Sequence, residues 1–170
     1  MTQQSFDDLL HRLAHAGIAP PASLVGCTEA EIASLEAKYN VTLPATYRTY
    51  LTMMGHDSGR LLTHDHYAAT YSHVLDMTTQ CREDRDEFPD CGLPTLPPDA
   101  LVIVGRLGEQ FMMIRCSASD DSPVWYFNEY DGEIKQSFGS VLDWLDSLAD
   151  EAENAIANGY YKQFPNGTRP

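Results

Sequence analysis

The chain has 170 residues, 43% hydrophobic and 21% charged, which is long enough for one well-buried core and short for two domains. Its 25 Asp and Glu against 11 Lys and Arg give a formal net charge of −14, which disfavours direct nucleic-acid binding, because neutralising phosphates takes clustered basic residues. No window approaches the roughly 18 apolar residues of a membrane span, the start MTQQSFDDLL has no basic signal region, and the four cysteines form no CxxC pair, so no membrane contact and a cytoplasmic location are expected.

In chain order, SFDDLLHRLAHAG sets Ser5 and Asp8 at capping-box spacing, aligns Phe6, Leu9, Leu10 and Leu13 on one face and ends at Gly17, the pattern of an amphipathic helix. Pro20 and Pro21 break it, so residues 1–26 read as an N-terminal helix and a Pro-rich linker. Thr28 and Glu31 form a second capping box, Ile32, Leu35 and Tyr39 an apolar stripe, and Asn40 a left-handed stop. Pro44 fits the first turn of a third helix carrying Tyr47, Tyr50, Leu51 and Met54, with Leu43 packed beneath the turn and Gly55 at its end.

Residues 55–75 hold neither a period of two nor of 3.6 and are expected to be loop with one short strand near Leu61 and Leu62. DMTTQCREDRDEF reads as a polar helix with Met77, Cys81 and Phe88 inward, and PDCGLPTLPPDA as a surface loop. ALVIVGRLGEQFMMIRCS and PVWYFNEYDGEIKQSF each read as a β-hairpin, the second turning at Tyr130-Asp131-Gly132, and together they predict a mostly antiparallel sheet of about four or more strands. SFGSVLDWLDSLADEAENAIANG closes the fold as a long helix with Phe138, Val141, Leu142, Leu145 and Leu148 inward and Trp144 off that stripe. The main domain is thus expected at 27–158, flanked by helices in an α+β architecture, with 159–170 a tail pinned by its aromatics.

Candidate chemistry is sparse. On a strand, His64 and His66 of His64-Asp65-His66 would share a face and could hold zinc, but no HExxH frame accompanies them, and a solvated polar loop is the preferred reading. Cys27 precedes a helix start, where the helix dipole could lower its pKa, yet no partner histidine is evident, and a small apolar filler is expected. No catalytic residue, metal or cofactor is assigned. Between Cys116 and Tyr161 stand ten acids against Lys135 alone, a net charge of −9 that would attract a basic partner. Trp125, Tyr126 and Phe127 in succession point to both faces of a strand. Either helices cover one side of the sheet and the 55–95 region the other, or Trp125 and Tyr126 line a partner groove ringed by Asp120, Asp121, Glu129 and Asp131.

EIASLEAKYNVTLPATYRTYL resembles the N-terminal signature of the SUKH superfamily, the Smi/Knr group named after a yeast cell-wall synthesis regulator, through Glu31, Ile32, Leu35 and Glu36, then Leu43, Pro44, Tyr47, Tyr50 and Leu51. LVIVGRLGEQFMMI resembles the family's Gly-centred hairpin, and PVWYFNEYDGEI with SFGSVLDWL its closing strands and final helix. The likeness covers about residues 27–150 in order; Met54 and Arg115-Cys116 depart from it, and residues 56–95 match nothing in it. The resemblance implies an α+β domain without catalytic residues, and for bacterial members an immunity protein that binds and neutralises a toxin domain, often a nuclease. A basic toxin cleft would suit an acidic chain. The alternatives are a regulatory or scaffold module for cell-envelope or signalling proteins, and metal-dependent hydrolysis through His64 and His66.

Overall fold

A computed structural model describes residues 5–62, 67–117 and 120–163. Helix α1, Phe6–His15, opens with Ser5 and Asp8 capping each other's backbone N–H groups. Leu9 and Leu13 are fully buried in the same core as the later elements, and Arg12 reaches Asp146, Asp150 and Glu153 on the final helix. Ile18 and Ala19 are buried behind α1; after a short 3₁₀ turn at Pro21–Ser23, β1, Leu24–Val25, pairs antiparallel with β2, Asp57–Ser58.

Helices α2, Glu29–Tyr39, and α3, Ala45–Met54, form the expected corner. Thr28 and Glu31 make the capping box, and Asn40 takes the left-handed conformation at φ 52°. Pro44 stands one residue earlier than expected, as the N-cap, and Leu43 is buried under the turn. Strand β3, Tyr67–Ala68, and helix α4, Tyr71–Glu87, follow. Among the described residues no strand includes Leu61 or Leu62, where one was expected: Asp57 accepts from the Gly59 N–H, Gly59 sits at φ 64°, and this tight turn carries Leu61 into the core outside any ladder.

Strands β4, Ala100–Arg106, β5, Gln110–Arg115, β6, Val124–Asn128, and β7, Lys135–Phe138, make a meander, with β3 at the other edge, so the main sheet is antiparallel in the order β3-β4-β5-β6-β7. Helix α5, Val141–Ala157, packs on one face, where Trp144 and Leu148 meet Val104, Met112 and Phe138. On the other face Met77 of α4 lies against Gly105, beside Phe111, so the covering from within residues 55–95 is present. The result is an α+β domain.

Two side chains differ from expectation for reasons of geometry. Phe88 is 55% exposed because α4 stops at Glu87, and Phe88, at φ −122° and ψ 77°, falls off the helical stripe that buries Met77 and Cys81. Trp144 is fully buried, edge-on to Tyr50 with centroids 5.7 Å apart, because α5 turns its Val141, Trp144, Leu145 and Leu148 arc inward and leaves Leu142 half-buried. As expected of the tail aromatics, Tyr161 is buried, donates to the Arg60 carbonyl and lies under its guanidinium.

Strand β4 carries a bulge between Val102 and Val104, and β3 pairs only with its Gly105 and Arg106. The Val102 N–H, which β3 does not reach, donates instead to the Thr78 hydroxyl of α4 at 2.8 Å, in a buried position. Thr78→Val keeps the shape and removes the acceptor, so it should cost about 1–3 kcal/mol in urea unfolding. The buried Tyr47 hydroxyl has no partner among the described residues, and Tyr47→Phe should therefore be neutral or stabilise by up to about 1 kcal/mol in the same assay.

Candidate partner-binding surface

The residues of the α2–α3 corner have structural work. Ile32, Leu35, Tyr47, Tyr50 and Leu51 are buried, and Glu36 accepts from the Leu43 N–H and pairs with Arg48. Arg115 grips Asp99 through Nε at 2.8 Å and Nη2 at 2.7 Å, which holds the Asp99 carboxyl down at about 2. None of these groups is left over for a ligand.

The acids and aromatics singled out in the sequence divide between the two ends of β6, a strand whose five residues span about 17 Å. At its start Asp121 caps α5, accepting from the Val141 N–H at 2.9 Å, and the exposed Asp120 is tied through its carbonyl to Thr46 of α3. A cavity of about 460 Å³ opens there among the first turns of α1, α3 and α5, lined by Phe6, Thr46 and Leu142 as well as both aspartates. Trp125 and Tyr126, mid-strand, are half-buried; the Trp125 indole N–H is enclosed without a partner among the described residues, and Asn128 donates to the Tyr126 hydroxyl.

At the far end Glu129 and Asp131 join residues that the sequence did not mark. Three turns adjoin here: Arg106 to Glu109, Asn128 to Glu133, and the exit of α4. The Glu129 N–H donates to the Glu109 carbonyl, and Gly92 fits so closely on Glu129 that a Cβ would lie 1.9 Å from its carbonyl oxygen. Each turn displays one large apolar side chain, Leu107 at 56%, Tyr130 at 66% and Phe88 at 55% exposure. Asn128 accepts from the Tyr130 and Asp131 N–H groups, Asp131 accepts from Glu133, and Gly132 sits at φ 66°, so the turn holding Tyr130 is braced from inside. A hydrogen bond to Glu109, with the charges of Glu109 and Glu129, pushes the Tyr130 hydroxyl up to about 12. Asp131 lies below the usual carboxylate range because of the Glu133 N–H and then Lys135. Chemically these adjoining turns carry exposed apolar side chains together with acids, the composition of a protein contact.

Leu107 is held at φ 56° and Gly108 at φ 74°, the two positive values that a type I′ hairpin turn requires. Asn, Asp or Gly would occupy the first position with little strain, whereas a leucine costs of order 1 kcal/mol there. An exposed, strained leucine at a hairpin tip gains nothing for the fold.

His64 and His66 lie outside the described residues. All four cysteines are free thiols; Cys91 is half-buried, and burial pushes Cys27 to about 11 and Cys81 and Cys116 to about 12. At Cys27 desolvation and the Glu31 charge thus outweigh the helix dipole, and the thiol is not activated as a nucleophile. Among the described residues no helix is long and apolar enough to cross a membrane.

The family model described as SMI1 / KNR4 family (SUKH-1) matches residues 26–147, more than half of the chain. No curated protein matches it.

Leu107→Asn relieves the turn and should raise stability by about 1 kcal/mol, read as a higher urea midpoint with an unchanged slope.

Proposed function

The chain belongs to the SMI1 / KNR4 family (SUKH-1), and from that premise we propose that it is a non-catalytic binding protein of the immunity type, which neutralises a basic toxin domain by covering its active site or an adjacent surface. The observation that carries this reading is the rim at the far end of β6. It gathers three of the five large apolar side chains exposed among the described residues, Phe88, Leu107 and Tyr130, beside Glu109, Glu129, Asp131 and Glu133. The apolar trio supplies the desolvated centre of an interface, and the acids supply steering and register against a cationic partner such as a nuclease cleft. The ion pairs support the same direction: Arg12, Lys38, Arg48, Arg115 and Lys135, five of the chain's eleven Lys and Arg, are engaged with the chain's own acids. Asp120 and Asp121 form a second acidic edge at the opposite end, with Asp121 committed to α5.

A tagged pull-down from source-cell lysate, washed at low and then moderate salt, should retain one basic toxin-domain protein at one-to-one stoichiometry. With that partner, Leu107→Asn and Tyr130→Ala should each raise the Kd at least tenfold, and Glu129→Lys with Glu133→Lys should slow association at low salt, while Asp120→Lys leaves both rates near those of the parent. Retention of several unrelated partners would replace this reading with that of a regulatory or scaffold module. Unchanged binding in the rim variants would move the interface elsewhere.

A further inference from the structure

We infer that Cys27, Glu31 and His56 form a site for a single zinc-type metal ion where the entry to α2 meets the exit from α3. One ligand atom from each of the three residues lies within 4.8 Å of the other two. Donors at about 2.0–2.3 Å from a tetrahedral ion stand about 3.5 Å apart, so closure takes small side-chain movements. His56 Nε2 is already 3.0 Å from Glu31 Oε1.

The backbone holds the set in place. The Cys27 N–H donates to the Leu51 carbonyl at 2.8 Å, and the His56 N–H donates to the Val25 carbonyl at 2.9 Å, which fixes the entry to α2 against the exit from α3. Gly55 completes the cradle: a Cβ there would stand 2.5 Å from the Cys27 sulfur. Thr28 occupies Glu31 Oε2 through its N–H at 2.8 Å and its hydroxyl at 2.9 Å, and thereby orients Oε1 towards the histidine. Tyr71 packs edge-on to the His56 ring and donates to the Glu31 carbonyl at 2.9 Å, a support for two of the three ligands. Such outer contacts are what set ligand orientation in metal sites.

Burial distinguishes the cluster from a surface ion pair. Cys27 is 7% exposed, and its sulfur makes no hydrogen bond among the described residues, so it is a buried polar group aimed at an ion pair with nothing to bond. Glu31 and His56 are about one-third exposed on their side chains, which leaves an entry from solvent and a fourth position for water. One thiolate, one imidazole and one carboxylate make a borderline donor set that suits Zn²⁺ or Co²⁺ and is poorly matched to Ca²⁺ or Mg²⁺. On binding, the sulfur–metal bond replaces the S–H bond, and the proton leaves to solvent with no change of oxidation state.

The test uses the full chain stripped with chelator. Zn²⁺ titrated by calorimetry should bind at one equivalent and raise Tm, and Co²⁺ should give a thiolate-to-metal charge-transfer band. Cys27→Ala and His56→Gln, each checked for a native circular dichroism spectrum, should weaken Zn²⁺ binding at least about a hundredfold, since losing even a supporting contact costs 10–100-fold. Glu31→Gln preserves the capping box and should weaken binding while retaining the Co²⁺ thiolate band. A Co²⁺ complex without that band, or Zn²⁺ affinity unchanged in both Cys27→Ala and His56→Gln, overturns the site. Loss of binding in His64→Ala with His66→Ala but not in Cys27→Ala overturns it as well.

Discussion

Strand β4 sets the terms for the rest of the molecule. Residues Ala100 to Val104 are each at most 4% exposed, so the strand is apolar on both faces and neither face can be left to water. An antiparallel meander provides hydrogen bonds but no cover, and cover has to come from both sides: α5 with Trp144 and Leu148 on one, α4 with Met77 on the other. Once α5 is seated, Tyr50 packs on Trp144, and α3 is fixed with it. Helix α1 then closes α5 from outside, where Arg12 answers three carboxylates that would otherwise repel one another along one helix face. The short β3 adds to the same constraint, because it pairs only with Gly105 and Arg106 and the Val102 N–H, beside the bulge in β4, goes to Thr78 instead.

Features encoded within a few residues were legible in the sequence. Both capping boxes, the left-handed Asn40, the Leu43-Pro44 corner and the two hairpins depend on contacts no more than a turn away, and each stands where the residue pattern placed it, Pro44 within one position. What was not legible depended on distant partners. The burial of Trp144 needs Tyr50, nearly a hundred residues earlier, and the exposure of Phe88 needs the exact stop of a helix whose polar sequence has little stripe to count from. Residues 57–58 and 67–68 are strands of two residues only, too short for alternation to register.

The candidate surface shows the same division. Acidity in the last third was visible from composition, but which acids share a surface was not, since β6 carries Asp120 and Asp121 to one end and Glu129 and Asp131 to the other. Leu107 carries a local signal of its own: a leucine ahead of glycine at a hairpin tip where both residues have positive φ is the wrong residue for the backbone. Cys27, Glu31 and His56 could not be grouped by spacing, because Glu31 and His56 are 25 residues apart and meet only after α2 and α3 fold back. The resemblance itself rests on caps and core, which explains how a family can keep one fold while its exposed turns are free to serve different partners.

The arrangement of the thiols has a practical side. Three of the four are buried with their ionisation suppressed, and Cys91 alone is half-exposed, three residues after the exposed Phe88, on the loop that adjoins Glu129. The molecule therefore comes with a natural single attachment point for a fluorophore or spin label, set at the edge of its acidic rim without any engineered cysteine, and a probe there would sense the approach of whatever docks.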